Sequence, residues 1–182
     1  MSVAASAILR RVKGPRSWLP ALLRAAARAR RKAYAPYSGF PVGAAVLAGG
    51  RIYSAANVEN SAYPLSICAE RNAVAQAVAA GHRRIDAAAV VGGESRPSAP
   101  CGGCRQVLAE FCAADAPIVY ASGDGRSVTT SLGALLPDSF GPGDLLRAGG
   151  SGSRGSSPAP AGRRRSAARA RGTRGTGRRR SR

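Results

Sequence analysis

The stretch Val42-Gly-Ala-Ala-Val-Leu-Ala-Gly-Gly-Arg-Ile-Tyr-Ser-Ala-Ala-Asn-Val58 decides the fold. Two apolar runs flank Gly49-Gly50, a pair suited to a tight turn, so Val42 to Leu47 and Arg51 to Val58 are expected to form a β-hairpin. Beyond the hairpin, Ile67 to Ala80 has a helical period, with Val74, Ala77 and Val78 on one face and Gly81 as a stop. Ile85 to Val91 is short and continuously apolar, the pattern of a buried strand. Gly102 to Phe111 reads as a second core helix with Val107, Leu108 and Phe111 inward. Ile118 to Ala121 and Ser127 to Thr130 read as strands around the turn Gly123-Asp-Gly125. On the N-terminal side, Tyr34-Ala-Pro-Tyr-Ser-Gly-Phe-Pro41 is a loop. Before it, Ser17 is placed to cap a helix carrying Leu19, Leu22, Leu23 and Ala26 on one face and Arg24, Arg28 and Arg31 on the other. That basic stripe reads as a solvated face. The order α-β-β-α-β-α-β-β predicts a three-layer α/β/α domain over residues 17–148, with a mixed five-stranded sheet covered on both sides.

The chain has 182 residues, 45% of them hydrophobic, enough for one domain with a core. Its net charge of +19 suggests a nucleic-acid binder until it is divided along the chain. Residues 1–32 hold nine Lys and Arg and no acid, residues 150–182 hold eleven Arg and no acid, and residues 33–149 carry a net charge of −1. Residues 1–16 read as a loose extension. Residues 149–182 contain Gly, Ser, Ala, Pro, Thr and Arg without an apolar period, so a disordered tail is expected. An Arg-rich arm can bind polyanions, but no aromatic residue is interleaved for base stacking, which favours an incidental extension over a nucleic-acid site. No run reaches the 18 or more apolar residues of a membrane helix. The apolar start lacks a charged region before it and meets Arg10 and Arg11 at once, against a secretory signal. A transit peptide stays as an alternative to a cytoplasmic protein.

Four cysteines are too few for a disulfide scaffold and fit a reduced, intracellular setting. Cys68-Ala-Glu70 opens one predicted helix and Pro100-Cys-Gly-Gly-Cys104 opens another. Cys101 and Cys104 can share an ion, and Cys68 can complete three corners of a tetrahedral zinc site with the fourth left to water. A structural zinc needs a fourth protein ligand. The candidates fit poorly: Cys112 lies more than two turns along the helix from Cys104, and His82 lies beyond the far end of the helix that Cys68 begins. Cys112 reads better as a small apolar residue and His82 as a surface loop residue. A redox pair of Cys101 and Cys104 is the other alternative, but it leaves Cys68 and Glu70 unexplained. Three thiolates leave Zn²⁺ with net negative charge, to be offset by two helix N-termini and by Arg71, which can donate to the sulfurs. A surface ion pair is the alternative role for Arg71, less expected at the head of a ligand helix. Glu70, not needed as a ligand, is placed to carry protons as general acid and base, or else is a first-turn carboxylate favoured by the helix dipole.

At these residues the chain resembles the small, homotetrameric zinc cytidine deaminases. The resemblance spans roughly residues 17–146 and five motifs in order: residues 34–45, Asn57-Val-Glu-Asn60, Ile67-Cys-Ala-Glu-Arg71, Pro100-Cys-Gly-Gly-Cys-Arg-Gln106 and residues 136–145. A Glu with Pro-Cys-x-x-Cys is a recognised deaminase signature. The resemblance implies that Cys68, Cys101 and Cys104 bind zinc and that Glu70 shuttles protons as hydroxide attacks C4 of cytosine and ammonia leaves. It further implies that Asn57 and Glu59 hold the ribose 3′-hydroxyl, that the Ala69 amide meets the base, and that Phe40 packs on the pyrimidine. Tyr63 and Phe140 resemble contacts made across subunit interfaces, so active sites shared within a homotetramer are expected. Glu59 at a 3′-hydroxyl would repel a phosphate there and favours a free, small-molecule nucleoside over a polynucleotide. Pro64 stands where many members have Gly, a departure that bears on the loop before Cys68. The expected activity is deamination of cytidine and deoxycytidine in pyrimidine salvage. The alternatives are another aminated pyrimidine nucleoside, or a basic-tailed nucleic-acid-binding zinc module.

Overall fold

The computed structural model describes residues 18–148. The expected N-terminal extension, the Ser17 cap and the expected tail over 149–182 lie outside the described residues.

A five-stranded sheet runs through the middle. Its strands are β1 (Val42–Ala48), β2 (Arg51–Ala56), β3 (Ala87–Gly92), β4 (Pro117–Ala121) and β5 (Ser127–Ser131), in spatial order β2-β1-β3-β4-β5. Only β3 and β4 pair in parallel, and the other neighbours are antiparallel. Parallel strands need a crossover, and here that crossover carries Cys101 and Cys104. β3 is buried along its whole length, which explains why its sequence is apolar without alternation.

Helices cover both faces, giving the three layers. On one side α1 (Trp18–Arg30) packs Leu22, Ala25 and Ala26 against Ala45, Ala87, Ala89 and Val91. On the other, α2 (Ala69–Ala79) and α3 (Gly102–Phe111) place Ala73, Val74, Ala77 and Leu108 over Ala44, Val46, Val90 and Ile118. Small residues on both partners bring α1 unusually close: a Cβ at Gly43 would lie 2.0 Å from the Ala26 carbonyl oxygen and 2.3 Å from Arg30 N. The face of α1 is therefore centred on Leu22, Ala25, Ala26 and Ala29, while Leu19 and Leu23 are only half-buried.

Several boundaries shift for local reasons. α2 begins at Ala69 because Ile67 is still extended and pairs with Val58, and β2 stops at Ala56 because Val58 pairs with Tyr34 and Ile67 instead. Ile85 likewise precedes β3, bridging Cys112. Pro64 sits in a 3-10 turn, Tyr63–Leu65, whose first positions accept a residue without an N–H, so the loop before Cys68 accommodates it. His82 is not a free surface residue. Its Nε2 lies 2.9 Å from the Tyr53 hydroxyl, and its ring packs beneath Gly49 of the hairpin turn. Two short helices were not legible in the periodicity: α4 (Leu132–Leu135), where Ser131 Oγ accepts from Ala134 N at 3.2 Å, and α5 (Pro142–Ala148).

Candidate metal centre and substrate pocket

The donor atoms of Cys68, Cys101 and Cys104 all lie within 4.8 Å of one another. Cys68 is the residue before α2 and Cys101 the residue before α3, while Cys104 is in the first turn of α3. Neither N-cap cysteine uses its side chain to cap its helix, so their sulfurs are free to act as ligands. Cys104 is buried, Cys68 half-buried and Cys101 exposed, and none is in a disulfide. A hydrogen bond with Cys104 holds the Cys68 thiol down to about 6, and Arg71 adds a smaller favourable charge effect; the same sharing with Cys68, together with burial, pushes Cys104 up.

Three sulfurs suit borderline-soft zinc, and a three-residue set leaves one position for water or substrate. Cys112 and His82 are not part of the cluster. Burial pushes the Cys112 thiol up to about 12, as befits an apolar packing residue at the end of α3.

Glu70, only 5% exposed, follows Cys68 by two residues in the first turn of α2. Burial raises its carboxyl, which brings it toward the range where one group can both take and return a proton. Arg71 is exposed, and the expected hydrogen bonds from it to the sulfurs are absent among the described residues; its charge lowers the Cys68 thiol.

A cavity of about 170 Å³ opens onto Cys68, Cys101 and Glu70, with Phe40, Asn57 and Ala69 on its walls. Ala69 is the first residue of α2, where a helix offers N–H groups without an internal partner. Asn57 is already committed in part: its Oδ1 accepts from Val42 N at 2.8 Å and its Nδ2 donates to the Phe40 carbonyl at 3.1 Å, leaving one N–H. Glu59 and Tyr63 are not on this cavity. They line a neighbouring one of about 250 Å³ with Tyr37, Ser38 and Ser66. There Glu59 Oε2 accepts from Tyr37 N at 2.9 Å and Ser38 N at 3.2 Å, and Oε1 accepts from Ser38 Oγ. The Ser38 hydrogen bond, with the backbone ones, holds Glu59 below the usual carboxylate range. Phe140 lines neither cavity; it is exposed, with its carbonyl accepting from Gln106 Nε2 at 2.7 Å.

The sequence profile of the cytidine and deoxycytidylate deaminase zinc-binding region matches residues 16–121. The chain belongs to this deaminase family. Among its relatives is a cytidine deaminase of Sporosarcina psychrophila, 49% identical over 119 residues, covering 65% of this chain and 88% of that protein. The crystal structure of the Burkholderia pseudomallei cytidine deaminase is 48% identical and superposes with a TM-score of 0.64, over 67% of this chain and 98% of the other. That of Mycobacterium tuberculosis is 41% identical with a TM-score of 0.59, over 67% and 96% respectively. Family membership makes zinc the metal of the three-cysteine site.

Some pocket residues carried no motif signal. Val90, Ser98 and Ala99 complete the cavity wall with Val42 of the first motif, Ser98 and Ala99 because they lead into Pro100-Cys101. Arg105 steadies that approach: its Nε donates to the Pro100 carbonyl and its Nη1 to the Leu135 carbonyl, each at 2.8 Å. Ser38 lies within the quoted loop motif, yet nothing in its spacing pointed to Glu59.

Proposed function

We propose that this chain hydrolyses cytidine and deoxycytidine to uridine and deoxyuridine, releasing ammonia. The observation that carries the reading is the convergence of Cys68, Cys101 and Cys104, the first two lining, with the buried carboxyl of Glu70, one cavity that also presents Phe40 and Asn57. Water adds to C4 of the pyrimidine and the C4–N bond to the exocyclic amine breaks; one of the water's protons leaves on ammonia and the other ends on ring N3 of the product. Zinc, when held by the three cysteines, supplies the Lewis acidity that makes water nucleophilic near neutral pH. Glu70 takes a proton from the attacking water and delivers protons to the ring and to the departing amine. Its burial both raises its proton affinity and keeps bulk water away from the transfer. Phe40 packs on the pyrimidine, and the Ala69 amide donates to the base. Asn57 offers its remaining N–H to the ribose 3′-hydroxyl, and Glu59, from the neighbouring cavity, accepts from the same hydroxyl when the ribose bridges the two.

We assign the working form as a homotetramer with shared active sites. Tyr34, Tyr37, Tyr63, Leu65 and Phe140 are exposed, and two of them line the Glu59 cavity, a distribution that supports coverage by neighbouring subunits. Tyr63 and Phe140 then complete the site from across interfaces. A cytoplasmic place in pyrimidine salvage suits thiols that must stay reduced. No described helix is long and apolar enough to cross a membrane. The substrate is a free nucleoside, and the basic ends serve no nucleic-acid editing role. Deleting residues 149–182 is expected to leave cytidine turnover unchanged.

The test is the ultraviolet spectrum of cytidine incubated with the parent protein and with Glu70→Gln at matched zinc content. Loss of the cytidine spectrum with the parent, and a rate lower by about 10²–10⁴ in the variant, is expected. No turnover by a folded, zinc-loaded parent would remove cytidine as the substrate, and full activity in the variant would remove Glu70 from the proton path.

A further inference from the structure

We infer that Arg30 is a positioning residue for the pyrimidine ring: its guanidinium braces the slot that holds Phe40 and thereby sets nucleoside affinity from outside the pocket. The inference rests on the reading of Phe40 as the base contact.

Arg30 is the last residue of α1, and its side chain is only 16% exposed. Its Nε donates to the Pro41 carbonyl at 3.1 Å, and its Nη2 donates to Glu94 Oε1. Pro41 directly follows Phe40, while Glu94 directly follows Gly92-Gly93, the pair on which the Phe40 ring leans. A Cβ at Gly92 would lie 3.4 Å from Phe40 Cε1, and one at Gly93 3.7 Å from Phe40 Cζ. One rigid, planar fork therefore grips both the chain that carries the ring and the chain that supports it.

The brace continues behind Glu94. Gly123 N donates to the Gly93 carbonyl and Asp124 N to the Glu94 carbonyl, each at 3.0 Å. A Cβ at Gly123 would meet Glu94 Oε2 at 2.9 Å and Arg30 Nη1 at 3.2 Å, so this turn closes over the pair.

Phe40 and Pro41 have three backbone polar groups between them, since Pro41 has no N–H. Each is held by a side chain: Phe40 N by Ser38 Oγ at 3.0 Å, the Phe40 carbonyl by Asn57, and the Pro41 carbonyl by Arg30. Ser38 and Asn57 act from the substrate side, and Arg30 acts from the far side of the loop. The Glu94 side chain is 81% exposed, so its ion pair contributes little to overall stability. Its consequence is the placement of the two chains. Arg30 touches neither the cysteines nor Glu70, so its removal should act on binding of the base and leave the chemical step intact.

The test uses full-length, zinc-loaded protein. Steady-state kinetics on cytidine are measured for Arg30→Met, Arg30→Lys and Glu94→Ala, alongside hydrogen exchange of residues 38–44 without nucleoside. Arg30→Met is expected to raise KM about tenfold with kcat changed less than about twofold, and to speed exchange at Phe40 and Val42. Arg30→Lys, which keeps the charge but reaches only one anchor, should fall between parent and Arg30→Met. Glu94→Ala should raise KM in the same direction, and it decides the matter if Arg30→Met does not fold. An unchanged KM in Glu94→Ala and Arg30→Lys, or a loss confined to kcat, would overturn the inference. If the parent does not turn over cytidine, the functional reading fails instead; the brace then stands on faster exchange in the variants and falls on unchanged protection.

Discussion

Cys68 and Cys101 hold matching backbone positions: each is the extended residue directly before a helix, at φ −67°, ψ 151° and φ −66°, ψ 166° respectively. The two sulfurs are thereby presented at two helix N-termini, the ends of the helices that carry partial positive charge.

Removal of a ligand should separate metal from fold according to burial. Cys101→Ala, at an exposed position, is expected to lose zinc and activity while remaining folded. Cys104→Ala, at a buried one, should lose both and also lower the melting temperature. Metal analysis with thermal melts checks this, and stoichiometric zinc in either variant with a normal rate contradicts the three-thiolate site.

Glu59 should exclude nucleotides phosphorylated at the 3′ position. Its carboxyl lies below the usual range, chiefly through Ser38, so its interaction is fully present above the ordinary carboxylate pKa and is lost only as pH falls through the depressed value. KM for cytidine in the parent should therefore resist acidification, and in Ser38→Ala it should begin to rise at higher pH. Coincident KM profiles would show that Ser38 does not tune Glu59.

Cys112 should make stability fall in alkali. Its thiol is raised to about 12, whereas an unfolded thiol titrates near ~8.5, so the stabilisation is complete below the lower value and is lost as pH climbs toward the upper one. The slope attributable to this residue is at most ~1.4 kcal/mol per pH unit. Denaturant titrations of the parent and Cys112→Ala between those limits should converge as pH rises; parallel curves would count against a buried neutral thiol.

Gly43→Ala should be among the most damaging single-methyl changes in the domain. The added carbon would lie 2.0 Å from the Ala26 carbonyl oxygen and 2.3 Å from Arg30 N, far inside van der Waals contact, and both are backbone atoms that cannot turn aside. A loss of about 3 kcal/mol or more is expected by chemical denaturation. A small loss would mean that α1 can lift off the sheet at little cost.

Much of this was legible from short-range pattern. Gly49-Gly50 between apolar runs marked the hairpin, and the change of period at residue 67 marked α2. Cys-x-Glu and Pro-Cys-x-x-Cys at two helix starts marked the metal site, because chemistry of that kind is written in residue type and close spacing. The pattern missed what depends on distant neighbours. Nothing near His82 announces Tyr53, and α4 and α5 are too short to show a period. Arg71 reads as a donor to sulfur from its place in the chain, but it lies exposed and makes no such bond among the described residues.

The sequence by itself determined which cysteines are candidate ligands, which carboxyl is the candidate proton carrier and how helix alternates with strand, since each follows from local dihedral preference, burial period and side-chain chemistry. Only the tertiary structure decided that Cys68 meets Cys101 and Cys104 across 33 residues of chain, that Asn57 and Glu59 face separate cavities, and that Arg30 grips Pro41 and Glu94 together. The physical reason is that such meetings depend on how strands register and how closely layers pack. Here that packing is set by the small residues between α1 and the sheet, which no local period encodes.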